Sequence, residues 1–139
     1  MTAISYGTPL SRKLGITAED RVGTFGAPQT FAELLEPLPA GASLVRSPRS
    51  ACPVLIIFAT TMAELEARFA SAVSLLPADG GLWVAWPKAT SGVDTELDFD
   101  AVQTLGLDAG LVDNKVAAID DTWSGLRFVV RLDDREAWR

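Results

Sequence analysis

Two short runs of apolar residues constrain the fold of this chain more than any other feature. They are residues 54–58 (VLIIF) and 82–86 (LWVAW), and neither contains a charged or amide side chain. Continuous apolar runs of this length are typical of strands that are covered on both faces. The chain therefore needs a layer on each side of its central strands, which favours an α/β fold.

Helical patterns alternate with these runs. Residues 61–64 (TMAE) match a capping box, in which a hydroxyl and a carboxylate bind free amides at a helix start. Apolar residues then recur at helical spacing until Pro77, at Met62, Leu65, Phe69, Val73 and Leu76. Shorter helices are predicted after Thr8-Pro9, over 29–35 and over about 98–105.

Strands are also predicted over 21–25, 42–46, 115–119 and 126–132. Because the last two are joined by a tight connection, residues 120–125, they must pair antiparallel. We therefore predict a three-layer, Rossmann-like α/β fold with a mostly parallel sheet of about six strands and a C-terminal antiparallel hairpin.

One connection does not fit the usual pattern of this fold class. Only six residues separate Arg46 from Pro53, whereas a helical crossover needs a dozen or more. Either this link crosses the sheet in extended form, or the strand over 42–46 is an irregular edge.

Length and composition exclude several classes of protein. The 139 residues fit one α/β domain, for which we predict a helical lead-in over 1–20 and a loose tail over 133–139. With 12 basic and 18 acidic side chains, a net charge of −6 and no basic stripe, nucleic-acid and membrane partners are disfavoured. No run is long enough to span a bilayer and no signal peptide is evident, so a cytoplasmic location is expected.

Side-chain chemistry narrows the functions further. The single cysteine, Cys52, cannot form an intrachain disulfide, and its apolar neighbours indicate a buried structural thiol. The chain contains no histidine, which removes the commonest general base and most zinc or iron sites. We assign no metal site and no catalytic residue from the sequence.

Several segments resemble a family of small bacterial proteins of unknown function. The resemblance lies in residues 80–88 (GGLWVAWPK) with 91–95 (SGVDT), 111–116 (LVDNKV) with 121–127 (DTWSGLR), and 6–10 (YGTPL). It spans nearly the whole chain, and it implies no activity.

The order of elements is also similar to the Rossmann-like core of class I methyltransferases. That similarity implies a strand order 2-1-3-4-6-5, with one strand and one helix missing. In those enzymes a glycine-rich loop after the first strand approaches the cofactor, and an acidic residue after the second strand binds its ribose. Here the first turn, residues 23–28 (GTFGAP), lacks the G-x-G pattern, and the second strand ends in Arg46-Ser47. The sequence therefore assigns no cofactor, and adenosylmethionine is not expected.

A ligand is expected at the carboxyl ends of the parallel strands, as in other open α/β sheets. The candidate ligand-binding residues at these ends and at the hairpin tip are Gly26, Thr60, Trp86, Lys88, Ser91, Asp121 and Trp123. A lysine beside hydroxyls, as at Lys88, can hold a phosphate or a carboxylate, although a solvated lysine is the simpler reading. Trp86 or Trp123 can form the floor of a pocket for a flat ligand, or pack in the core.

Acidic residues near the site have simpler interpretations. Asp94, Glu96, Asp98 and Asp100 lack the glycine and the distal glutamate of a calcium loop. Asp98 and Asp100 are better read as favourable charges at a helix start. Residues 113–115 (DNK) form either a polar site or a kink where a strand begins, and residues 120–122 (DDT) fit hairpin chemistry.

Three functions remain open on the sequence alone. The first is a non-catalytic module that binds a small molecule or another partner on a degenerate Rossmann-like fold. The second is a divergent transferase, such as a methyltransferase-like enzyme, that uses Lys88 with Asp94, Asp113 or Asp121. The third is a structural homodimer formed through a sheet edge, for which Trp138 is a candidate contact.

Overall fold

The six strands form one sheet in a computed structural model that describes residues 8–138. The strands are β1 Arg21–Phe25, β2 Ser43–Arg46, β3 Val54–Phe58, β4 Gly81–Pro87, β5 Leu111–Ala118 and β6 Trp123–Val130. The helices are α1 Leu10–Lys13, α2 Phe31–Leu35, α3 Met62–Val73 and α4 Phe99–Asp108, with 3-10 turns at Ala89–Ser91 and Leu132–Asp134. Residues 1–7 and 139 lie outside the described part, and with them the start of the predicted lead-in, the first residues of the 6–10 motif and the end of the predicted tail.

The strand order is β2-β1-β3-β4-β6-β5. Strands β2, β1, β3 and β4 pair in parallel, whereas β6 is antiparallel to both β4 and β5. These findings confirm the predicted fold class, the predicted order and the closing hairpin. Among the described residues, none of the helices has the length and apolar character needed to cross a bilayer.

The short link between β2 and β3 crosses the sheet in extended form. Strand β1 lies between β2 and β3, so residues 47–53 must return over β1 without a helix. They do so at Gly23, where an added Cβ would lie 2.5 Å from Pro48 Cγ and 3.0 Å from Cys52 Sγ. A side chain at Gly23 would therefore occupy the path of the link.

Each face of the sheet carries its own apolar core, as the continuous apolar runs predict. Helices α3 and α4 cover one face, here called the α3–α4 face, with Leu65, Phe69 and Val102 buried against β3, β4 and β6. The other face, here called the α1–α2 face, is covered by Leu14, directly after α1, and by Phe31 and Leu35 of α2. The long buried strands β3 and β4 thus form the middle of three layers.

The two tryptophans of β4 lie on opposite faces. Trp83 is fully buried on the α1–α2 face, and its indole N–H donates to the carbonyl of Leu14 at 2.9 Å. Trp86 packs on the α3–α4 face. Trp83 therefore fixes the end of α1 to the centre of the sheet, and Trp86 is left near the carboxyl edge.

Cys52 is fully buried within the β2–β3 link, in agreement with the structural reading of this thiol. Burial raises the pKa of the Cys52 thiol above its ordinary value, and the charge of Arg21 opposes this shift in part. The thiol is therefore protonated at neutral pH, which suits a packing role.

The C-terminal hairpin is longer than the sequence pattern indicates. Strand β5 begins at Leu111 rather than at Lys115, because an irregularity between Asp113 and Lys115 interrupts the alternation of side chains. Strand β6 begins at Trp123 and ends at Val130, so Gly125 lies in the strand and not in the turn. An added Cβ at Gly125 would lie 3.1 Å from Trp83 Cε3, so this glycine serves close packing.

Helix boundaries also differ from prediction by one to three residues. Helix α1 is capped by Pro9 rather than Thr8, and α2 begins at Phe31 rather than Gln29. Helix α4 continues to Asp108, three residues beyond the predicted end, and Gly106 allows it to approach Phe128 closely. Near the C-terminus, the half-buried Trp138 donates its indole N–H to the carbonyl of Leu76 at 2.6 Å.

Substitution of Gly23 tests the extended crossing. We expect Gly23→Val to lower the free energy of unfolding by about 1–3 kcal/mol, because the new side chain overlaps the buried Pro48 ring. Gly81→Ala is the control, since the three atoms nearest its Cβ would all belong to the flexible Arg127 side chain. Urea unfolding of the three proteins provides the measurement, and equal stability losses at the two glycines would contradict the crossing.

Candidate functional site

The crevice where open α/β sheets usually bind ligands lies between the carboxyl ends of β1 and β3. Strand order reverses at this point, because β2 lies on one side of β1 and β3 on the other. Here the crevice contains the side chain of Arg68 from α3. Its Nη1 donates to the carbonyl of Phe58, and an added Cβ at Gly26 would lie 2.5 Å from the same atom. The guanidinium therefore fills the space that a ligand would need beside Gly26.

The carboxylate of Glu64, four residues earlier on the same helix, lies close to the Arg68 guanidinium. Glu64 Oε1 lies 3.7 Å from Arg68 Nη1, and it accepts hydrogen bonds from the amide of Thr60 at 2.9 Å and from its hydroxyl at 3.2 Å. The pKa of Glu64 is lowered, mainly by the hydrogen bond from the Thr60 amide, whereas burial raises it. The Thr60 hydroxyl, the charge of Arg68 and the Thr61 amide lower this pKa further. These contacts join the end of β3, the start of α3 and the Arg68 side chain.

Main-chain amides in the first turn of α3 also donate hydrogen bonds to side chains of the protein. The Thr61 hydroxyl accepts the amide of Glu64 at 3.1 Å, and the Glu96 carboxylate accepts the amide of Met62 at 2.8 Å. The carbonyl of Thr60 accepts the Glu96 amide at 2.9 Å and the Thr95 hydroxyl at 2.7 Å. Thr60 therefore anchors the loop that leads from β4 to α4.

An open cavity lies farther along the same edge, at the end of β4. This cavity, here called the β4 cavity, has a volume of about 590 Å³. Its walls come from the end of β4, the following loop, the start of α4 and one residue of β6: Trp86, Pro87, Lys88, Ala89, Val93, Asp94, Thr95, Leu97, Asp98, Phe99 and Ser124. A neighbouring cavity of about 340 Å³ at Thr60 and Thr61 shares Asp94 and Thr95 with it.

Two aromatic rings give the β4 cavity an apolar surface. Trp86 and Phe99 meet edge to face, with ring centroids 6.4 Å apart, and Phe99 remains 37% exposed. The indole N–H groups of Trp83 and Trp138 donate to main-chain carbonyls, whereas that of Trp86 has no acceptor among the described residues.

Charged side chains of both signs line the β4 cavity, and none of them forms an ion pair with another described residue. The Lys88 main chain is fixed, because its amide donates to the carbonyl of Thr122 at 2.7 Å. Within residues 8–138 the one ion pair joins Arg68 and Glu64, so the Lys88 ammonium has no carboxylate partner there. Asp98 accepts the amide of Ala101 at 2.9 Å and caps α4, as its position at a helix start predicts. The cavity thus presents one unpaired cation beside an aromatic surface.

The structure separates the residues that the sequence grouped into one site. Trp86 and Lys88 line the β4 cavity, and Thr60 lines the neighbouring cavity. The Ser91 hydroxyl accepts the amide of Val93 at 3.1 Å and does not line either cavity, while Gly26 lies against Arg68.

The hairpin tip contributes less to the cavity than predicted. Trp123 packs on the α1–α2 face against Phe58, with ring centroids 5.1 Å apart, and Asp121 is exposed. The Asp120 carboxylate accepts the amides of Thr122 and Trp123, each at 2.8 Å, which confirms the reading of residues 120–122 as hairpin chemistry. Of this segment only Ser124 reaches the β4 cavity.

Most wall residues of the β4 cavity were not predicted as ligand-binding residues, among them Phe99 and Ser124. Phe99 was predicted only as part of a helix, and its partial exposure beside Trp86 is visible only in the structure. Ser124 was placed in a turn, so no side-chain direction was assigned to it. In the described part of the chain, no cluster of three or more potential metal ligands is present.

The amino-acid sequence was compared with protein families and with curated proteins. No family model matches the chain, and no curated protein matches it in sequence. The resemblance to a small bacterial family therefore remains a prediction.

Solved structures of methyltransferases are similar to the chain over most of its length. A precorrin-6y C5,15-methyltransferase from Geobacter metallireducens GS-15 aligns with a TM-score of 0.59 and 11% identity, covering 88% of this chain and 86% of the other. The N-methyltransferase NodS from Bradyrhizobium japonicum WM9 aligns with a TM-score of 0.54 and 13% identity, covering 86% and 88%. A complex of DhpI with SAH aligns with a TM-score of 0.59 and 12% identity, covering 89% and 83%. The chain therefore has the Rossmann-like fold of class I methyltransferases.

The contacts of Glu64 predict a dependence of stability on pH. Because the folded-state pKa of Glu64 is lowered, its contribution is present above the ordinary carboxyl pKa and is lost as the pH falls through the folded-state value. Glu64→Gln should therefore be less stable than the parent protein at pH 7, and the difference should shrink towards about pH 3.

Urea unfolding at the two pH values measures this difference. Glu66→Gln serves as the control, because Glu66 is exposed on the same helix. A stability deficit of Glu64→Gln that is equal at both pH values would show that the carboxylate charge does not support the contacts around Arg68.

Proposed function

We propose that this chain is a non-catalytic binding module on a methyltransferase fold, and that it binds a small flat molecule carrying a carboxylate or a phosphate. The proposal rests on a contrast between two places at the carboxyl edge of the sheet. The usual crevice between β1 and β3 holds Arg68, whereas the β4 cavity is open and has an unpaired cation.

The chemistry of the β4 cavity indicates the ligand class. Trp86 and Phe99 offer aromatic surface on which a planar group can pack. Lys88 supplies a positive charge that favours an anionic group. Asp94 is exposed on the same wall, where its charge disfavours ligands with a second anionic group. These features fit a flat aromatic molecule with a single anionic group, a carboxylate or a phosphate.

A methyltransferase-like enzyme is the second candidate, and the fold favours it. The similar DhpI structure is a complex with SAH, and the strand order is the one that the resemblance implies. This candidate requires the Arg68 side chain to leave the crevice beside Gly26, and it requires ribose binding without an acidic residue after β2, which ends at Arg46. The first candidate requires neither change. The buried free thiol of Cys52 supports a cytoplasmic location for either function.

Titration with indole-3-acetate, a flat aromatic carboxylate, tests the proposed site. We expect the indole N–H signal of Trp86 in a ¹H–¹⁵N spectrum to shift saturably, because the ligand packs against this ring. The Trp86→Phe variant assigns the signal among those of the four tryptophans. Lys88→Gln should weaken binding about tenfold or more, since loss of a charge-assisted hydrogen bond costs about 1.5–3 kcal/mol.

Arg49→Gln is the matched control, since it removes an exposed cation from the β2–β3 link. It should leave the affinity unchanged. Failure of indole-3-acetate and of phenyl phosphate to shift the Trp86 signal, or equal effects of the Lys88 and Arg49 substitutions, would overturn the proposal.

A further inference from the structure

A groove separates the two helices that cover the α3–α4 face. Helix α3 packs on β3 and β4, whereas α4 packs on β5 and β6, and each helix lies closer to the sheet than to the other helix. The space between them, here called the interhelical groove, has a volume of about 390 Å³. Its walls come from the start of α3 and from most of α4: Met62, Glu66, Asp100, Ala101, Thr104, Leu105 and Asp108.

The floor of the interhelical groove is apolar and incompletely covered. Met62 and Leu105 pack against the core beneath them, yet both remain half-buried, as does Ala101. Methionine has a flexible and polarisable side chain that adapts to different apolar partners. Because apolar surface in contact with water is stabilised when a second apolar surface covers it, this floor offers a contact for a partner.

Acidic side chains of both helices surround this floor. Glu66 of α3 and Asp100 and Asp108 of α4 are exposed, and no basic residue is among those that line the groove. Over the described residues 8–138, none of these three carboxylates is in an ion pair. Asp100 lies in the first turn of α4, where a negative charge is favourable, but Asp108 is the last residue of this helix, where the helix dipole opposes it. A positively charged partner would offset this unfavourable charge.

The interhelical groove is too shallow to enclose a small molecule. Four of its seven lining residues are exposed, whereas sites for small molecules bury about 70–90% of the ligand surface. The open surface continues along α3 through the exposed Ala63 and Ala70, which lie three and four residues from Glu66 and therefore on the same side of the helix. Small side chains at a helix contact allow two helix axes to approach closely. This surface therefore suits the side of another helix.

We propose that the interhelical groove docks a basic amphipathic helix of a partner protein. Apolar residues at helical spacing on the partner cover Met62 and Leu105, as in other complexes in which a helix lies in a groove. Lysine or arginine residues beside them pair with the three carboxylates. Asp100 and Asp108 are about 12 Å apart along the axis of α4, which matches cations about two turns apart on the partner. Glu66 lies on the opposite wall and matches cations on the other side of the partner's apolar face.

This docking site is independent of the function proposed above, because the interhelical groove and the β4 cavity share no lining residue. Its chemistry also agrees with the charge of the whole chain, since a net charge of −6 favours the approach of a basic partner.

Titration with a synthetic helical peptide at constant ionic strength tests the proposal. The peptide has leucines at helical spacing on one face, lysines on both sides of them and alanine elsewhere. In spectra of the labelled protein, the Met62 methyl signal and the Leu105 amide signal should shift saturably with this peptide. The same peptide with glutamate in place of lysine, or with its leucines scattered over all faces, should bind at least about tenfold more weakly.

Two variants of the protein test the groove itself. Thr104 is exposed and lies four residues from both Asp100 and Asp108, so the arginine in Thr104→Arg can pair with either carboxylate and cover the groove. This variant should weaken binding of the basic peptide at least about tenfold. The double variant Glu66→Gln/Asp108→Asn should weaken it about threefold or more, since exposed ion pairs are individually weak. Urea unfolding verifies that both variants are folded.

The double variant Glu33→Gln/Asp133→Asn is the matched control, because it removes two exposed carboxylates that lie outside the groove. It should change the affinity for the basic peptide less than about twofold. Spermidine tests whether the groove binds small cations instead of a helix. Absence of a saturable shift with the basic peptide, equal effects of the two double variants, equal affinities for the basic and acidic peptides, or spermidine binding as tight as that of the basic peptide would overturn the proposal.

Discussion

The guanidinium of Arg68 joins the carboxyl ends of β1 and β3, and it occupies the crevice in which open α/β sheets usually bind ligands. It donates to the carbonyl of Phe58 and packs against Gly26, while Glu64 binds Thr60 beside it. A charged group from the protein thereby takes the place that a cofactor takes in other sheets of this order. Open space at this edge lies at the end of β4, in the cavity lined by Trp86, Lys88 and Phe99, and in the neighbouring cavity at Thr60 and Thr61.

The strands themselves followed from local patterns and their order from the resemblance to class I methyltransferases, whereas the path of the chain between β2 and β3 stayed open. Apolar runs and the capping box at Thr61 place β3, β4 and α3, and the right-handed connection rule then leaves few orders. The crossing of residues 47–53 depends on Gly23, whose role is visible only when Pro48 and Cys52 lie above it. Gly125 was misplaced for a similar reason, because packing against Trp83 and turn formation both favour glycine.

The candidate site was predictable only where it depends on the ends of strands. Trp86 and Lys88 end a strand and were identified, but Trp123 was assigned to the same site although it faces the opposite side of the sheet. The position of Arg68 depends on the direction of one long side chain, for which the sequence contains no signal.

The central claim is that Arg68 closes the cofactor crevice, and calorimetric titration with SAH tests it most directly. The account predicts no measurable binding to the unmodified protein, with unchanged amide signals for Phe25, Gly26 and Thr60. Stoichiometric binding of SAH with shifts at these three residues would show that the Arg68 side chain moves out of the crevice, and this result would contradict the account.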